Sequence, residues 1–233
     1  MDTTKNRLQV VKSRIEAACA ASDRYARDIV LVAVSKAQKA GALREAYEAG
    51  QRDFGESYVQ EALDKMQVLR DLPICWHFIG PVQSNKTRAI AEAFDWVHSV
   101  DRLKIAERLS AQRPPERGLL NICVQVNVSG EASKRGVPPD EAAALAKAVA
   151  VLPGLKLRGL MTIPEPSDDA QLTRRRFDTL ARLRDDLERE GLALDTLSMG
   201  MSDDFETAIA AGSTMVRIGT AIFGARPARG GTN

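Results

Sequence analysis

Apolar positions along the chain fall into two alternating patterns. Short β-branched runs read as strands buried on both faces, and stretches with apolar residues three and four apart read as amphipathic helices. Residues 3–22 form the first helix, with Leu8, Val11, Ile15 and Ala18 on one face and Thr3 or Thr4 available as N-cap. Strand candidates then follow at Ile29–Ser35, Asp53–Glu56, Ile74–Ile79, Trp96–Val100, Leu119–Val128, Leu155–Ile163, Leu197–Met199 and Thr214–Ile218. Helical patterns lie between them at 39–49, 59–69, 84–94, 103–110, 140–151, 170–190 and 203–211, and a short turn covers 221–223. Gly50 and Gly212 close two of these helices, and Pro73, Pro114 and Pro153 stop three others.

Eight strands, each followed by a helix, imply parallel pairing through right-handed crossovers. Over 233 residues this fits a closed (β/α)8 TIM barrel in the α/β class, one domain spanning 1–233 with an extra N-terminal helix. A doubly wound open sheet is the alternative, and the absence of a GxGxxG after the first strand lowers its dinucleotide-binding version. The tail from about residue 227, Pro227-Ala228-Arg229-Gly230-Gly231-Thr232-Asn233, reads as disordered.

Composition narrows function mainly by exclusion. With 33 basic and 31 acidic residues the net charge is +2, too small to attract nucleic acid or an anionic membrane. Cys19, Cys75 and Cys123 are far apart and odd in number, which fits a reducing cytoplasm rather than a disulfide framework. The N-terminus lacks the apolar core of a signal peptide, and no stretch is apolar for the length of a membrane span. Two histidines, His77 and His98, make a histidine-rich metal site unexpected.

A barrel of this type gathers its site at the C-terminal ends of the strands. Lys36 stands there after the first strand, and burial at that position would favour a neutral amine able to form a Schiff base with a carbonyl. Alternatively, Lys36 reaches into water. Glu56 and Ser57 follow the second strand, His77 and Gly80 the third, Asn127 and Ser129 the fifth, Met161 and Thr162 the sixth. Met199-Gly200-Met201-Ser202-Asp203 and Arg217-Ile218-Gly219-Thr220 close the last two units. Glycines that admit backbone N–H groups, with Ser or Thr at a helix start, suit a phosphate. Ser202 and Thr220 could instead merely cap their helices. A Schiff-base lysine beside a phosphate site implies a phosphorylated carbonyl, either a sugar phosphate or pyridoxal phosphate. Arg217 favours the latter, because a guanidinium donates to a pyridine nitrogen without protonating it. Its alternative is an ion pair with Asp203 or Glu206. His77 either stacks on or near the ring or is a satisfied core histidine, the latter slightly favoured. The polar loop 131–136 has the length of a lid.

Val34-Ser35-Lys36, Phe54-Gly55-Glu56-Ser57-Tyr58-Val59-Gln60-Glu61, Trp76-His77-Phe78-Ile79-Gly80, Gln83-Ser84-Asn85-Lys86, Gly159-Leu160-Met161 and the two closing motifs together resemble the pyridoxal phosphate homeostasis protein family, the YggS-like proteins. The resemblance runs from about residue 5 to residue 226. It implies the type III pyridoxal phosphate-binding fold shared with the alanine racemase barrel. It also implies that Lys36 holds the cofactor, that Arg217 faces the pyridine nitrogen and that Ser202, Gly219 and Thr220 hold the phosphate. Ser57, His77 and Met199 complete the expected cofactor-binding set. Where the family usually has Asn, this chain has Ser57, which keeps a hydroxyl but loses the amide's reach toward the ring hydroxyl.

The family is described as cofactor carriers without established catalysis, monomeric and cytoplasmic here by expectation, with apo forms of pyridoxal phosphate enzymes as candidate recipients. Alanine racemase needs a tyrosine from a separate β domain as second base. Tyr25, Tyr47 and Tyr58 all precede the later strands, so two-base racemisation would lack one proton donor. The competing readings are a racemase- or decarboxylase-like enzyme and a class I aldolase-like lyase.

Overall fold

The computed structural model describes residues 3–131 and 135–224. Eight strands, β1 (Val30–Val34), β2 (Asp53–Glu56), β3 (Cys75–Phe78), β4 (Trp96–Val100), β5 (Leu120–Gln125), β6 (Leu155–Met161), β7 (Thr196–Ser198) and β8 (Met215–Ile218), pair in sequence order. Every pairing is parallel, and β1 closes onto β8 with Val32 opposite Arg217. The barrel is the predicted one, and the open-sheet alternative is set aside. Around it run α2 (Ala40–Glu48), α3 (Val59–Val68), α4 (Thr87–Ala93), α5 (Leu103–Gln112), α6 (Pro139–Ala150), α7 (Ala170–Arg189), α8 (Phe205–Ala210) and α9 (Thr220–Phe223). Among the described residues no helix is long and apolar enough to cross a membrane.

The extra helix α1 (Thr4–Ala20) is capped by the Thr3 hydroxyl, which accepts from the Asn6 N–H at 3.2 Å. It packs on α8 and α9. Arg7 Nε donates to the Ile222 carbonyl at 2.9 Å, Arg14 pairs with Glu206 at 2.6 Å, and Arg24 donates to the carbonyls of Ile209 and Ser213. The N-terminal helix thus clamps the last two β/α units, which carry the glycine-rich loops.

Most of the apolar core lies between barrel and helices, as the double-faced strands require. Inside the barrel sits a smaller apolar layer of Val32, Trp96, Cys123, Met161 and Met215. Polar groups share this interior with the apolar residues. His77, His98, Ser198 and Arg217 are all buried there. The cysteines are free thiols, and burial pushes Cys123 up to about 12.

Several element ends differ from expectation. The β5 run ends at Gln125 rather than Val128, and the segment 84–94 begins with a 3-10 turn at Ser84–Lys86 before α4. The one-residue shift of β7, from 197–199 to Thr196–Ser198, matters most. Side chains alternate faces along a strand, and this register turns Ser198 inward and Met199 outward. The expected disordered tail from about 227, and Ala132, Ser133 and Lys134 of the expected lid loop, lie outside the described residues.

Candidate functional site

At the C-terminal ends of the strands the barrel opens into a cavity of about 250 Å³. Its lining contains Lys36, Ser57, Ser202, Arg217, Gly219 and Thr220. Val34, Ile79, Ile163, Met201 and Asp203 complete it. Six of the eight expected site residues therefore converge on one space, although they come from four different strand ends.

His77 and Met199 do not line the cavity. His77 is fully buried inside the barrel, where Nδ1 meets His98 Nε2 at 2.9 Å and Nε2 meets Asp53 Oδ1 at 2.9 Å. It is a satisfied core histidine, and its ring stacks on Trp96. Met199 is fully buried in the outer apolar core because the β7 register points it away from the barrel axis. Both corrections come from side-chain direction, which sequence position alone left open.

Lys36 leaves β1 on a sharply held turn. Ala37 adopts φ +64°, a left-handed conformation that a residue with a Cβ rarely takes. Its N–H donates to Glu61 Oε1 at 2.5 Å. The same oxygen accepts from Lys65 Nζ at 2.6 Å, and that ammonium also donates to the Ser35 carbonyl and to Glu56 Oε1, each at 2.7 Å. The Ser35 hydroxyl donates to Glu56 Oε1 at 2.6 Å. Burial raises the Glu56 carboxyl above its ordinary range, opposed by the neighbouring Lys65 charge and its hydrogen bonds. The two residues before and after Lys36 are thus tied to one buried ionic cluster, which aims the lysine at the cavity. Glu61 and Lys65 were not singled out from the sequence. Their signal was present, since a lysine four residues after a glutamate on the buried face of a helix needs a local counter-charge.

Ser57 is placed by close backbone packing. A Cβ on Gly80 would lie 2.2 Å from the Ser57 carbonyl oxygen and 2.7 Å from its Cα. Gly80→Ala is therefore expected to push the β2 and β3 ends apart, costing about 1–3 kcal/mol of stability. A urea midpoint equal to that of the unaltered protein would refute the packing argument.

The loop after β7 is organised by its own carboxylate. Asp204 Oδ1 accepts from the Met201 N–H at 2.6 Å, while burial raises its carboxyl. Gly200 has φ +97°, and a Cβ there would meet the Ala208 Cβ at 2.7 Å, so only glycine allows this turn over α8. Neither Ser202 nor Thr220 acts as a helix cap. The N-cap positions of α8 and α9 are Asp204 and Gly219, and neither helix has a side-chain cap. Among the described residues none accepts from the N–H groups of Ser202 or Asp203. In α9 the N–H groups of Ile222 and Phe223 donate to the Gly219 carbonyl, whereas among the described residues no backbone carbonyl accepts from Thr220 or Ala221. The lining thus combines the hydroxyl residues Ser202 and Thr220 with N–H groups from which no described backbone carbonyl accepts, a donor set suited to a phosphate.

Arg217 forms the floor. It is 3% exposed, and its partners are the Ser198 hydroxyl, 2.7 Å from Nη1, and the Thr162 carbonyl, 2.9 Å from Nη2. Among the described residues Arg217 forms no ion pair with Asp203 or Glu206, and Glu206 pairs with Arg14 instead, so the ion-pair alternative falls away. Burial lowers Arg217 to about 10, partly offset by Asp204 and Cys123, which still leaves the guanidinium cationic at neutral pH.

Residues 10–227 match the family model described as alanine racemase, N-terminal domain. A pyridoxal phosphate homeostasis protein from Pseudomonas aeruginosa is 59% identical over 226 residues, covering 97% of each chain. Its counterpart from Escherichia coli K12 is 50% identical over 232 residues, covering 97% of this chain and 98% of that one. Among solved structures, PipY from Synechococcus elongatus with PLP bound superposes with a TM-score of 0.83 at 37% identity, over 95% of this chain and 100% of PipY. Alanine racemase from Clostridium difficile superposes with a TM-score of 0.79 at 14% identity, over 98% of this chain and 58% of the racemase, a likeness of fold alone. By these matches, and by a barrel whose strand ends assemble the expected cavity, the chain belongs to the pyridoxal phosphate homeostasis protein family, within the alanine racemase N-terminal-domain fold.

Proposed function

We propose that this protein binds pyridoxal phosphate reversibly and serves intracellular pyridoxal phosphate homeostasis, holding the cofactor as a Schiff base on Lys36 without turning over a substrate. The observation that carries this reading is the convergence in one cavity of an amine, a buried guanidinium and a cradle rich in N–H and hydroxyl donors. These are complementary to the three polar features of the cofactor: aldehyde, ring nitrogen and phosphate. When bound, pyridoxal phosphate supplies an aldehyde for the amine and an electron-withdrawing ring. The residues divide that work. Lys36 presents the amine, Arg217 donates toward the ring nitrogen while remaining cationic, and Ser202, Gly219 and Thr220 receive the phosphate. Ile79 and Ile163 supply apolar walls that limit water at the ring.

The carrier reading is supported by the names of the close relatives and by the lining itself. None of Tyr25, Tyr47 or Tyr58 is part of the cavity wall, and a racemase needs a proton-transfer group on each face of its substrate. Transfer to apo forms of pyridoxal phosphate enzymes, a monomeric state and a cytoplasmic location belong to the same reading. The experiment that separates carrier from enzyme is exchange of the α-deuteron of labelled alanine and other amino acids by the loaded protein. No exchange at turnover rates is expected. Rapid exchange would establish a racemase-like enzyme instead.

The phosphate cradle has its own test. Ser202→Ala and Thr220→Ala are each expected to weaken pyridoxal phosphate binding by about 1–2 kcal/mol, the scale of a hydrogen bond to a charged group. Equilibrium titration followed by absorbance reads this directly. Unchanged affinity in the double variant would contradict the cradle.

A further inference from the structure

Behind Arg217 a continuous line of buried polar groups runs the length of the barrel interior. Arg217 Nη1 lies 2.7 Å from Ser198 Oγ, Ser198 Oγ 2.8 Å from His98 Nδ1, His98 Nε2 2.9 Å from His77 Nδ1, and His77 Nε2 2.9 Å from Asp53 Oδ1. Ser198, His98 and His77 are each fully buried. Asp53, whose side chain is 30% exposed, is the first residue of β2 and opens on the N-terminal mouth, opposite the cavity. The cavity uses only the arginine. A hydrophobic barrel centre would not need the other four groups, and every buried polar group costs stability unless it is fully paired.

We propose that Ser198, His98, His77 and Asp53 are positioning residues that fix the orientation of Arg217 and polarise it toward the cofactor, so that a carboxylate at the far mouth acts on the cavity. This rests on the reading of the cavity as a pyridoxal phosphate site.

The chemistry of the two ends fixes the outer bonds, and one proton on each ring is the form we propose between them. A guanidinium only donates, so Ser198 Oγ accepts from Arg217. An ionised carboxylate only accepts, so His77 carries its hydrogen on Nε2. With one proton on each ring, His77 Nδ1 is bare and accepts from His98 Nε2–H. His98 Nδ1 is then bare and accepts from the Ser198 hydroxyl. All four bonds point from Arg217 toward Asp53, and no lone pair faces another. Hydrogen bonds in such a chain reinforce one another. His98 stays neutral, because burial holds it well below the ordinary imidazole range, with the Arg217 charge acting in the same direction. The neighbours preserve this order. Trp96 stacks on His77 with an interplanar angle of 13°, and Cys75 Sγ lies 3.4 Å from His77 Nε2 as a thiol kept protonated by burial and by Asp53 and Asp95. The Thr162 carbonyl holds the second nitrogen of Arg217, which leaves the guanidinium no freedom to turn away.

The test is a double-mutant cycle on Asp53→Asn and Ser198→Ala, read by pyridoxal phosphate affinity and by the visible absorption maximum of the loaded protein. Asp53→Asn is expected to lower affinity about fivefold and to shift the maximum, although the residue lies outside the cavity. Ser198→Ala is expected to lower affinity about tenfold, and the double variant should be no worse than Ser198→Ala, because the chain is already cut. A merely structural role for Asp53 would change melting temperature without moving the absorption maximum. Wild-type affinity and spectrum in Asp53→Asn, or effects that multiply in the double variant, would overturn the inference while leaving the binding reading intact. A wild-type protein that takes up no pyridoxal phosphate would overturn both. Should Asp53→Asn fail to fold, 15N chemical shifts of the histidine rings in the unaltered protein decide the polarity. Nε2–H tautomers for both His77 and His98 support it, and an Nδ1–H tautomer in either ring refutes it.

Discussion

Lys36→Ala is expected to lose covalent attachment of pyridoxal phosphate altogether while keeping measurable affinity. The variant retains Arg217 and the loops of Ser202, Gly219 and Thr220, so ring and phosphate still find their donors. What disappears is the amine, and with it the absorption at about 420 nm expected of a Schiff base. Binding should fall by about 100-fold or more, roughly 2.7 kcal/mol. Lys36 is half-buried just after β1, and the melting temperature of the cofactor-free variant, measured alongside, separates loss of attachment from loss of fold. A variant that remains yellow through dialysis would show that another lysine carries the cofactor.

Lys65→Met is expected to have the largest effect on the fold itself. The Lys65 side chain is 7% exposed and that of Glu56 is completely buried. One ammonium answers Glu56, Glu61 and the Ser35 carbonyl together. Removing it leaves a buried carboxylate without its counter-charge, and breaking a buried pair from one side typically costs about 3–5 kcal/mol. The turn that carries Lys36 hangs on the same cluster, through Ser35 on one side and the left-handed Ala37 on the other. Chemical denaturation should therefore show a large drop in midpoint, and the surviving folded protein should hold pyridoxal phosphate less tightly. Lys104→Met, at an exposed position on α5, serves as the comparison. Equal midpoints for the two variants would show that the buried cluster contributes nothing to stability.

Much of this architecture was legible in the chain because parallel strands buried on both faces leave uninterrupted apolar runs. Eight such runs separated by helical periodicity leave few folds to choose from. The cavity was legible for a related reason. Barrel chemistry collects at strand ends, so the polar residues directly after each run, Lys36, Ser57, Ser202 and Thr220, were the ones to inspect. What resisted reading was direction. A strand of three residues such as β7 has no internal pattern to say which face it turns inward, so only the fold shows Ser198 at the barrel interior and Met199 in the outer core. His77 and His98 were visible only as two isolated histidines. Their pairing depends on β3 and β4 lying side by side, a contact between residues 21 apart that no local pattern encodes. The Glu56–Lys65–Glu61 cluster was hidden in the same way, because an exposed salt-bridged helix face and a buried one share the same spacing.

The most direct test of the central claim is a visible spectrum of the purified, cofactor-loaded protein before and after borohydride, followed by mass mapping of the modified peptide. The expected result is a band at about 420 nm that borohydride abolishes, with the reduced pyridoxyl group fixed on Lys36. A protein that stays colourless with added pyridoxal phosphate, or a label on a different lysine, would contradict it.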